Sequence, residues 1–365
     1  MEAFALAEYM SKSVERLIKE ALGSAFGNPS QAAFFMRFAG RCKKASRIRM
    51  KHERHGRHIP PFLIASVTSV CNLYCKGCYA RANNSRKESN SGLLPAERWK
   101  SVFREAEKLG ISFILLAGGE PLLRKDVIEA AAEHKNICFP IFTNGTMIDG
   151  DFLRLLEKHR NLIPVISIEG TREQTDERRG KGVYQTIIKS METLNDHRVF
   201  FGASVTLTTK NIASVTDDEF INGLIKSGCR LLFYVEYVPV TEATGDLAPS
   251  NRERRILEER LVSLRSRFNK LLFFSFPGDE KSTGGCLAAG RGFLHINSNG
   301  SAEPCPFSPF SDTDIKTNGL LEALESPLFS RLAASGMLSE EHTGGCVLFD
   351  KQREVSAFLN PGASD

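Results

Sequence analysis

Cys71, Cys75 and Cys78 fall within eight residues, directly after an apolar run at 62–68 (FLIASVT). Three thiolates at that spacing, on a loop leaving a strand end, can converge on one soft metal centre. A structural zinc site or a closed iron–sulfur site takes four protein ligands, so three leave one metal position open to a small molecule. For the triplet alone, the alternative is a zinc site completed by a distant His or Cys. The chain holds nine cysteines, an odd number, and clustered thiols in a reducing compartment are better explained by metal binding than by disulfides. Cys286, Cys305 and Cys346 form a second group in the last quarter of the sequence. Cys138 and Cys229 lie in or beside apolar runs, where cysteine behaves as a small core residue.

The elements that must position these thiols are legible from hydrophobic period. Apolar, β-branched or aromatic runs at 62–68, 111–117, 137–143, 163–168, 199–207 and 230–238 alternate with helix candidates near 95–109, 124–135, 149–159, 183–196, 216–227 and 250–268. Nearly continuous apolar strands in such a repeat predict a parallel sheet buried on both faces. Right-handed crossovers then give an open doubly wound sheet or a barrel-like curved one. Polar strings close the strands: Ala117-Gly118-Gly119-Glu120-Pro121, Phe142-Thr143-Asn144-Gly145 and Ser167-Ile168-Glu169-Gly170. All sit at C-terminal strand ends, the edge where such sheets bind ligands. The glycines let backbone approach a ligand, and Glu120 offers an acceptor for an ammonium. Thr143 and Ser167 would also serve as helix caps. Thr206, Tyr234 and Glu236 have an alternation expected to face the same cavity, with Tyr234 and Glu236 as candidate catalytic residues.

Cys-x3-Cys-x2-Cys after the first strand, followed in register by the Gly-Gly-Glu-Pro, Thr-Asn-Gly and Ser-x-Glu-Gly strings, resembles the radical S-adenosylmethionine (radical SAM) superfamily over about residues 61–270. The resemblance implies an α/β fold, a partial (β/α)6 TIM-like barrel in which Cys71, Cys75 and Cys78 hold a [4Fe–4S] cluster. The methionine amino and carboxylate groups of SAM would chelate the remaining iron. It further implies that Gly118, Gly119, Glu120 and Pro121 bind the SAM amino group. Thr143, Asn144, Ser167, Glu169 and Thr206 would line the ribose and carboxylate, with Arg179, or alternatively Arg178, pairing with the carboxylate. Glu169 stands where the family has Asp. Gly77 stands where the family often has an aromatic residue near adenine, and Tyr79 is the candidate replacement.

From about residue 271 the pattern changes. FLHINSNGSAEP, with a turn at Asn299-Gly300, predicts a β-hairpin, and short helices follow near 319–325 and 327–336. A unit of roughly 90 residues this irregular calls for a staple. The run from Cys286 to Cys305 resembles the opening of the SPASM or twitch extension. That resemblance implies a smaller C-terminal α+β auxiliary domain with an auxiliary [4Fe–4S] cluster on Cys286, Cys305 and Cys346, its fourth iron open or closed by a non-cysteine ligand such as His342 or His295. The expected organisation is a helical basic segment at 1–60, a radical SAM core at 61–270 and the auxiliary iron–sulfur domain at 271–365.

With 42% apolar and 25% charged residues, the composition is that of a globular protein, not a disordered or fibrous one. No uncharged apolar run of about 18 residues occurs, so no membrane span is expected. The N-terminal stretch lacks the basic-then-apolar order of a secretory signal, so the expected compartment is the cytoplasm. The net charge is +5, but residues 41–58 carry eight Lys or Arg against one Glu. This basic stretch reads as a solvated helix face, with nucleic acid ranked low as a partner, and His52, His55 and His58 within it read as surface residues. The resemblance implies an enzyme that reductively cleaves SAM to a 5′-deoxyadenosyl radical, which abstracts hydrogen from a substrate C–H bond. A reductant such as flavodoxin or ferredoxin would supply the electron. Peptide or protein side chains are the expected substrates; a haem, tetrapyrrole or other small metabolite is the alternative. The contrasting class is a non-catalytic iron–sulfur carrier or zinc-stabilised module.

Overall fold

The computed structural model describes residues 3–25, 28–82, 92–239, 242–339 and 345–359. Two helices open the chain, α1 (Ala3–Ser24) and α2 (Pro29–Glu53), packed on each other. The Asn28 side chain accepts from the Gln31 N–H at 3.1 Å and Pro29 takes the first turn, so α2 starts where sequence chemistry allows.

Six strands then pair in chain order, all parallel: β1 (Phe62–Thr68), β2 (Phe113–Gly118), β3 (Phe139–Thr143), β4 (Leu162–Ser167), β5 (Gly202–Leu207) and β6 (Leu231–Glu236). Between and after them run α3 (Ala96–Leu109), α4 (Lys125–Glu133), α5 (Gly150–Lys158), α6 (Val183–Asp196), α7 (Asp218–Lys226) and α8 (Asn251–Arg267). All six expected strands and all six expected helices are present. A seventh parallel strand, β7 (Leu272–Phe276), pairs with β6. Its run is five residues long and has no crossover helix after it, so on period alone it merges with the irregular segment beyond.

The hairpin expected at Asn299-Gly300 forms, and it joins the same sheet. β8 (His295–Ile296) lies parallel to β1, β9 (Ser301–Glu303) antiparallel to β8, and β10 (Thr313–Asp314) antiparallel to β9. The resulting order, β10-β9-β8-β1-β2-β3-β4-β5-β6-β7, is an open partial barrel. Short helices α9 (Leu320–Leu324) and α10 (Pro327–Ala334) complete the extension.

Strand alternation divides the core in two. On the outer face Leu63, Ala65, Ile114, Leu116 and Val205 pack with Trp99 and Phe103 of α3 and Ile187 of α6. On the inner face Phe113, Ile163, Val165, Phe233 and Leu272 meet Val14 and Ile18 of α1 and Phe34, Phe35 and Phe38 of α2. Phe38 sits edge-on to Phe113 at 5.5 Å and Phe35 edge-on to Phe200 at 5.1 Å. The N-terminal helices therefore cover the inner face of the sheet. The basic stretch is correspondingly not a wholly solvated face. Arg49 is buried and donates to the Gly110 carbonyl and to Ser112 Oγ at 3.3 Å, and Cys42 is buried. His58 bonds Glu53 Oε2 and the Arg291 carbonyl, tying α2 to the extension. No described helix is long and apolar enough to cross a membrane.

Candidate functional site

The C-terminal ends of β1 to β5 gather most of the residues singled out by sequence. After Thr68 the chain turns sharply, and the reason for Gly118 and Gly119 lies there. A Cβ on Gly118 would meet the Thr68 carbonyl oxygen at 2.2 Å, and one on Gly119 the Val70 oxygen at 2.0 Å. Gly119 and Glu120 instead donate their N–H groups to those two carbonyls at 2.7 and 2.8 Å. The glycines thus serve the chain's own loop, seating the segment that carries Cys71 against the second strand end. The expectation that they bare the backbone to a ligand misses this role.

Glu120 is fully buried at the head of the turn Pro121–Leu123. Thr143 Oγ1 donates to its Oε1 at 2.7 Å, Leu122 N–H to the same oxygen at 3.0 Å, and Asn144 N–H to Oε2 at 2.8 Å. Burial raises the carboxyl pKa against these bonds. Asn144 also bridges to the cysteine loop, donating from Nδ2 to Asn72 Oδ1 at 2.8 Å, with Cys71 Sγ at 3.9 Å. Thr143 and Ser167 are not helix caps. Thr143 holds Glu120 and the Gly145 N–H, and Ser167 Oγ lies 3.2 Å from Ser204 Oγ.

The arginine pair resolves into one cluster. A capping box of Thr171 and Gln174 starts the helix Arg172–Arg179, whose end delivers both side chains to Glu169. Arg178 Nη1 donates to Glu169 Oε1 and, at 3.1 Å, to Thr206 Oγ1; Arg179 Nε donates to Glu169 Oε1 at 2.8 Å. Burial opposes the Arg179 charge, but Glu169 together with the Cys75 and Cys78 sulfurs outweighs it and raises the pKa. Arg179 thus lies within electrostatic reach of the thiol loop while bound to Glu169. The Arg178 carbonyl takes the Lys76 N–H at 2.8 Å, fixing the loop from behind.

Two expectations do not hold. Thr206 pairs in register with Val235, so Tyr234 and Glu236 alternate to the opposite side of the sheet from Thr206. Tyr234 is fully buried in the outer core with its hydroxyl on the Val215 carbonyl. Glu236 is bound by Arg254, whose Nε donates at 2.8 Å, and that guanidinium lies against Gly345. Both residues are structural in this fold. Tyr79, the candidate for the ring missing at Gly77, turns instead toward the extension. Its ring is edge-on to Phe307 at 5.1 Å, and its phenol pKa is raised by burial, with Cys78, Cys305 and Glu303 adding.

The ring over Gly77 comes from a residue the sequence reading missed. Gly77 has φ +65°, and a Cβ there would strike the Tyr237 hydroxyl at 2.7 Å. Tyr237, just past β6, is 3% exposed, and its hydroxyl has no hydrogen-bond partner among the described residues. The signal available in sequence was the absent aromatic at 77 together with a Tyr one residue beyond a strand end.

The second thiol group lies in the extension. Cys286 and Cys305 are buried and Cys346 is half-buried; none of the nine cysteines is bridged. The Ala289 N–H bonds the Pro304 carbonyl at 3.1 Å, holding the Cys286 and Cys305 segments side by side. Burial raises the pKa of all three thiols, that of Cys346 to about 12, and the Cys346 and Cys286 charges add to the rise at Cys305. His295 spends both ring nitrogens elsewhere, on Glu303 Oε2 and Ser66 Oγ, each at 2.7 Å. His342 lies outside the described residues. Among the described residues no three Cys, His, Asp or Glu side chains converge tightly enough for one metal ion. A cubane's thiolates bind at separate corners and need no such convergence.

Comparison with known proteins fits this geometry. Residues 65–222 match the Radical SAM superfamily. The chain is 30% identical over 158 residues to Fe-coproporphyrin III synthase of Methanosarcina barkeri, covering 42% of this chain and 39% of that protein. It is 27% identical over 269 residues to the mycofactocin maturase MftC of Mycolicibacterium smegmatis, covering 69% and 66%. The aligned stretch therefore spans under two thirds of either relative. In fold it is similar to Streptococcus suis SuiB bound to precursor peptide SuiA, with a TM-score of 0.65, 21% identity, and coverage of 86% of this chain and 77% of that one. The open sheet, the cysteine loop on its first strand and the match over residues 65–222 together identify a radical SAM domain, the mark of an enzyme family, within this chain, with a C-terminal extension beyond that domain.

Proposed function

We propose that Cys71, Cys75 and Cys78 hold the family's [4Fe–4S] cluster and that the strand ends around them bind SAM. When bound, the two supply one-electron reductive cleavage of the sulfonium and hydrogen abstraction at an unactivated C–H bond. The observation that carries this reading is the Glu120 carboxylate: fully buried, it has no salt bridge among the described residues, and it is pinned by Thr143, Leu122 and Asn144 beside the cysteine loop. A buried carboxylate so placed is an acceptor awaiting a cation, and the methionine ammonium is one. Arg179, oriented by Glu169 and within electrostatic reach of the Cys75 and Cys78 sulfurs, would take the methionine carboxylate. Tyr237 would supply the adenine-side ring in place of the one missing at Gly77, its unpaired hydroxyl given a partner by the ligand. The N-terminal helices close the opposite end of the sheet, packing on Phe113, Ile163, Leu231 and Leu272 at the strand starts.

The substrate is an amino-acid side chain of a peptide or protein, a reading supported by the likeness to a peptide-bound fold and to a maturase. A tetrapyrrole is the second reading, favoured by the 30% identity to Fe-coproporphyrin III synthase. An electron-transfer protein such as flavodoxin or ferredoxin is the proposed reductant. The C-terminal thiols would carry an auxiliary [4Fe–4S] cluster. Anaerobically reconstituted protein, reduced with dithionite and given SAM, is expected to release 5′-deoxyadenosine, and Cys71→Ala is expected to abolish that release. Equal release by both proteins, or none by either, would overturn the assignment.

A further inference from the structure

Ser66 and His295 lie 229 residues apart in the chain, yet the sheet sets them side by side with Glu303. Strand register does this. His295 on β8 stands opposite Ile64 of β1 and opposite Glu303 of β9, and residues directly opposite share a face. Ser66, two residues past Ile64, is on that face too. Leu63 and Ala65 pack in the outer core, so the shared face is the inner one. There His295 Nε2 lies 2.7 Å from Ser66 Oγ, and His295 Nδ1 lies 2.7 Å from Glu303 Oε2. Asn297 Nδ2 donates to the other Glu303 oxygen at 2.6 Å and fixes the carboxylate. His295 and Glu303 are buried, whereas Ser66 keeps 7% exposure. Ile64 and Ala117, the register partner of Ser66 on β2, are half-buried, so packing does not seal this part of the face. The N-terminal helices pack lower, at strand starts such as Phe113 and Leu272.

A hydroxyl on a histidine that is itself held by a carboxylate is the arrangement that activates serine. An ionised carboxylate only accepts, so Nδ1 carries the ring proton and Nε2 is left to accept from the Ser66 hydroxyl. We propose that Ser66, His295 and Glu303 form a proton relay on the inner face of the barrel, with Ser66 as the group that touches substrate. A substrate O–H, N–H or S–H gives its proton to Ser66 Oγ as the Ser66 proton passes to His295 Nε2. The imidazolium so formed is held by Glu303, and no electron moves. Ser66 lies within a strand and not at a helix head, where N–H groups gather to hold an oxyanion, so the geometry fits proton transfer and not acyl transfer. The proposal rests on the reading of the neighbouring strand ends as a SAM and substrate site for what the relay serves. It deepens that reading by giving the substrate a group that loses a proton as well as a C–H bond that loses hydrogen.

The test uses the full chain with Ser66→Cys, which puts a thiol in the place of the hydroxyl. A histidine able to take its proton turns that thiol into a thiolate, the form that iodoacetamide alkylates. At pH 7, peptide mass spectrometry is expected to show modification at position 66 about 10- to 30-fold faster than in the same chain carrying His295→Gln as well. Glu303→Gln keeps the shape of its pair with His295 and is expected to slow the modification several-fold. That variant carries the test if circular dichroism shows His295→Gln to be unfolded. No modification at position 66 would show that nothing reaches it from the inner face and would overturn the relay. Equal rates with and without His295 and Glu303 would overturn it too, leaving the three residues as a seam between strands. The alkylation needs neither SAM nor iron, so its failure leaves the SAM reading standing. A native chain that releases no 5′-deoxyadenosine overturns that reading and not the proton transfer from position 66.

Discussion

Glu120 and Tyr237 are the two side chains whose surroundings ask most for a ligand. One is a buried carboxylate without a salt bridge among the described residues, the other a buried hydroxyl without a partner there. Glu120→Gln keeps the shape and removes the charge. A hydrogen bond to a charged group contributes roughly 1.5–3 kcal/mol, so SAM affinity is expected to fall about 10- to 100-fold by anaerobic equilibrium dialysis. Unchanged affinity would remove Glu120 from the ammonium site. Tyr237→Phe separates two effects. Deleting an unsatisfied buried hydroxyl is expected to leave the melting temperature of the ligand-free protein equal or slightly higher, while SAM binds about 5- to 10-fold more weakly. Weaker melting with unchanged SAM affinity would make Tyr237 a packing residue only. At this scale the sequence singled out the thiols, Glu120 and Thr143, because each sits in a short string at a strand end, and the arginine pair by its place in the loop after the fourth strand. It did not reveal Tyr237, which meets Gly77 across a long stretch of chain, and no local spacing encodes that. Tyr234 and Glu236 were misread for a related reason: alternation says which residues share a face, and only strand register says which face that is.

The elements were far more legible than the contacts between them. Six strand runs and six helical periods lie where hydrophobic pattern and capping chemistry put them, since burial on both faces keeps the strands predominantly apolar and gathers most polar residues toward their C-terminal ends. β7 escaped because a five-residue run without a following helix carries too little period. The role of α2 escaped because its basic surface masks a stacked aromatic row, Phe34 and Phe38 at 5.3 Å. Phe38→Ala is expected to lower unfolding stability by about 3–5 kcal/mol in denaturant titrations. A loss below about 1 kcal/mol would show that α2 covers the inner face only loosely. The helix Arg172–Arg179 gives a finer probe. Thr171→Ala removes its capping box and is expected to cost about 1 kcal/mol of stability. SAM affinity should fall with it, because the last turn of that helix aims Arg178 and Arg179. Affinity that holds while stability drops would uncouple the cap from the site.

For the molecule as a whole, the C-terminal thiols Cys286, Cys305 and Cys346 draw on segments far apart in the chain, and the Cys71–Cys78 loop is held by the ends of other elements, so metal loading would be linked to folding. Iron- and sulfide-reconstituted protein is expected to melt more than about 5 °C above chelator-treated protein under anaerobic scanning calorimetry. Coincident melting curves would mean that neither group contributes to global stability. The extension's place beside β1 bears on how the chain can be divided. β8 takes the hydrogen-bonding side of β1 that β2 does not, and His295 spans the seam to Ser66. A polypeptide ending at β7 would bare that seam along the strand from which the first cysteine loop springs. Such a raw margin recruits whatever backbone is at hand, and a second molecule's own strand is the nearest match. Truncation would therefore yield swapped pairs or precipitate instead of a tidy catalytic fragment.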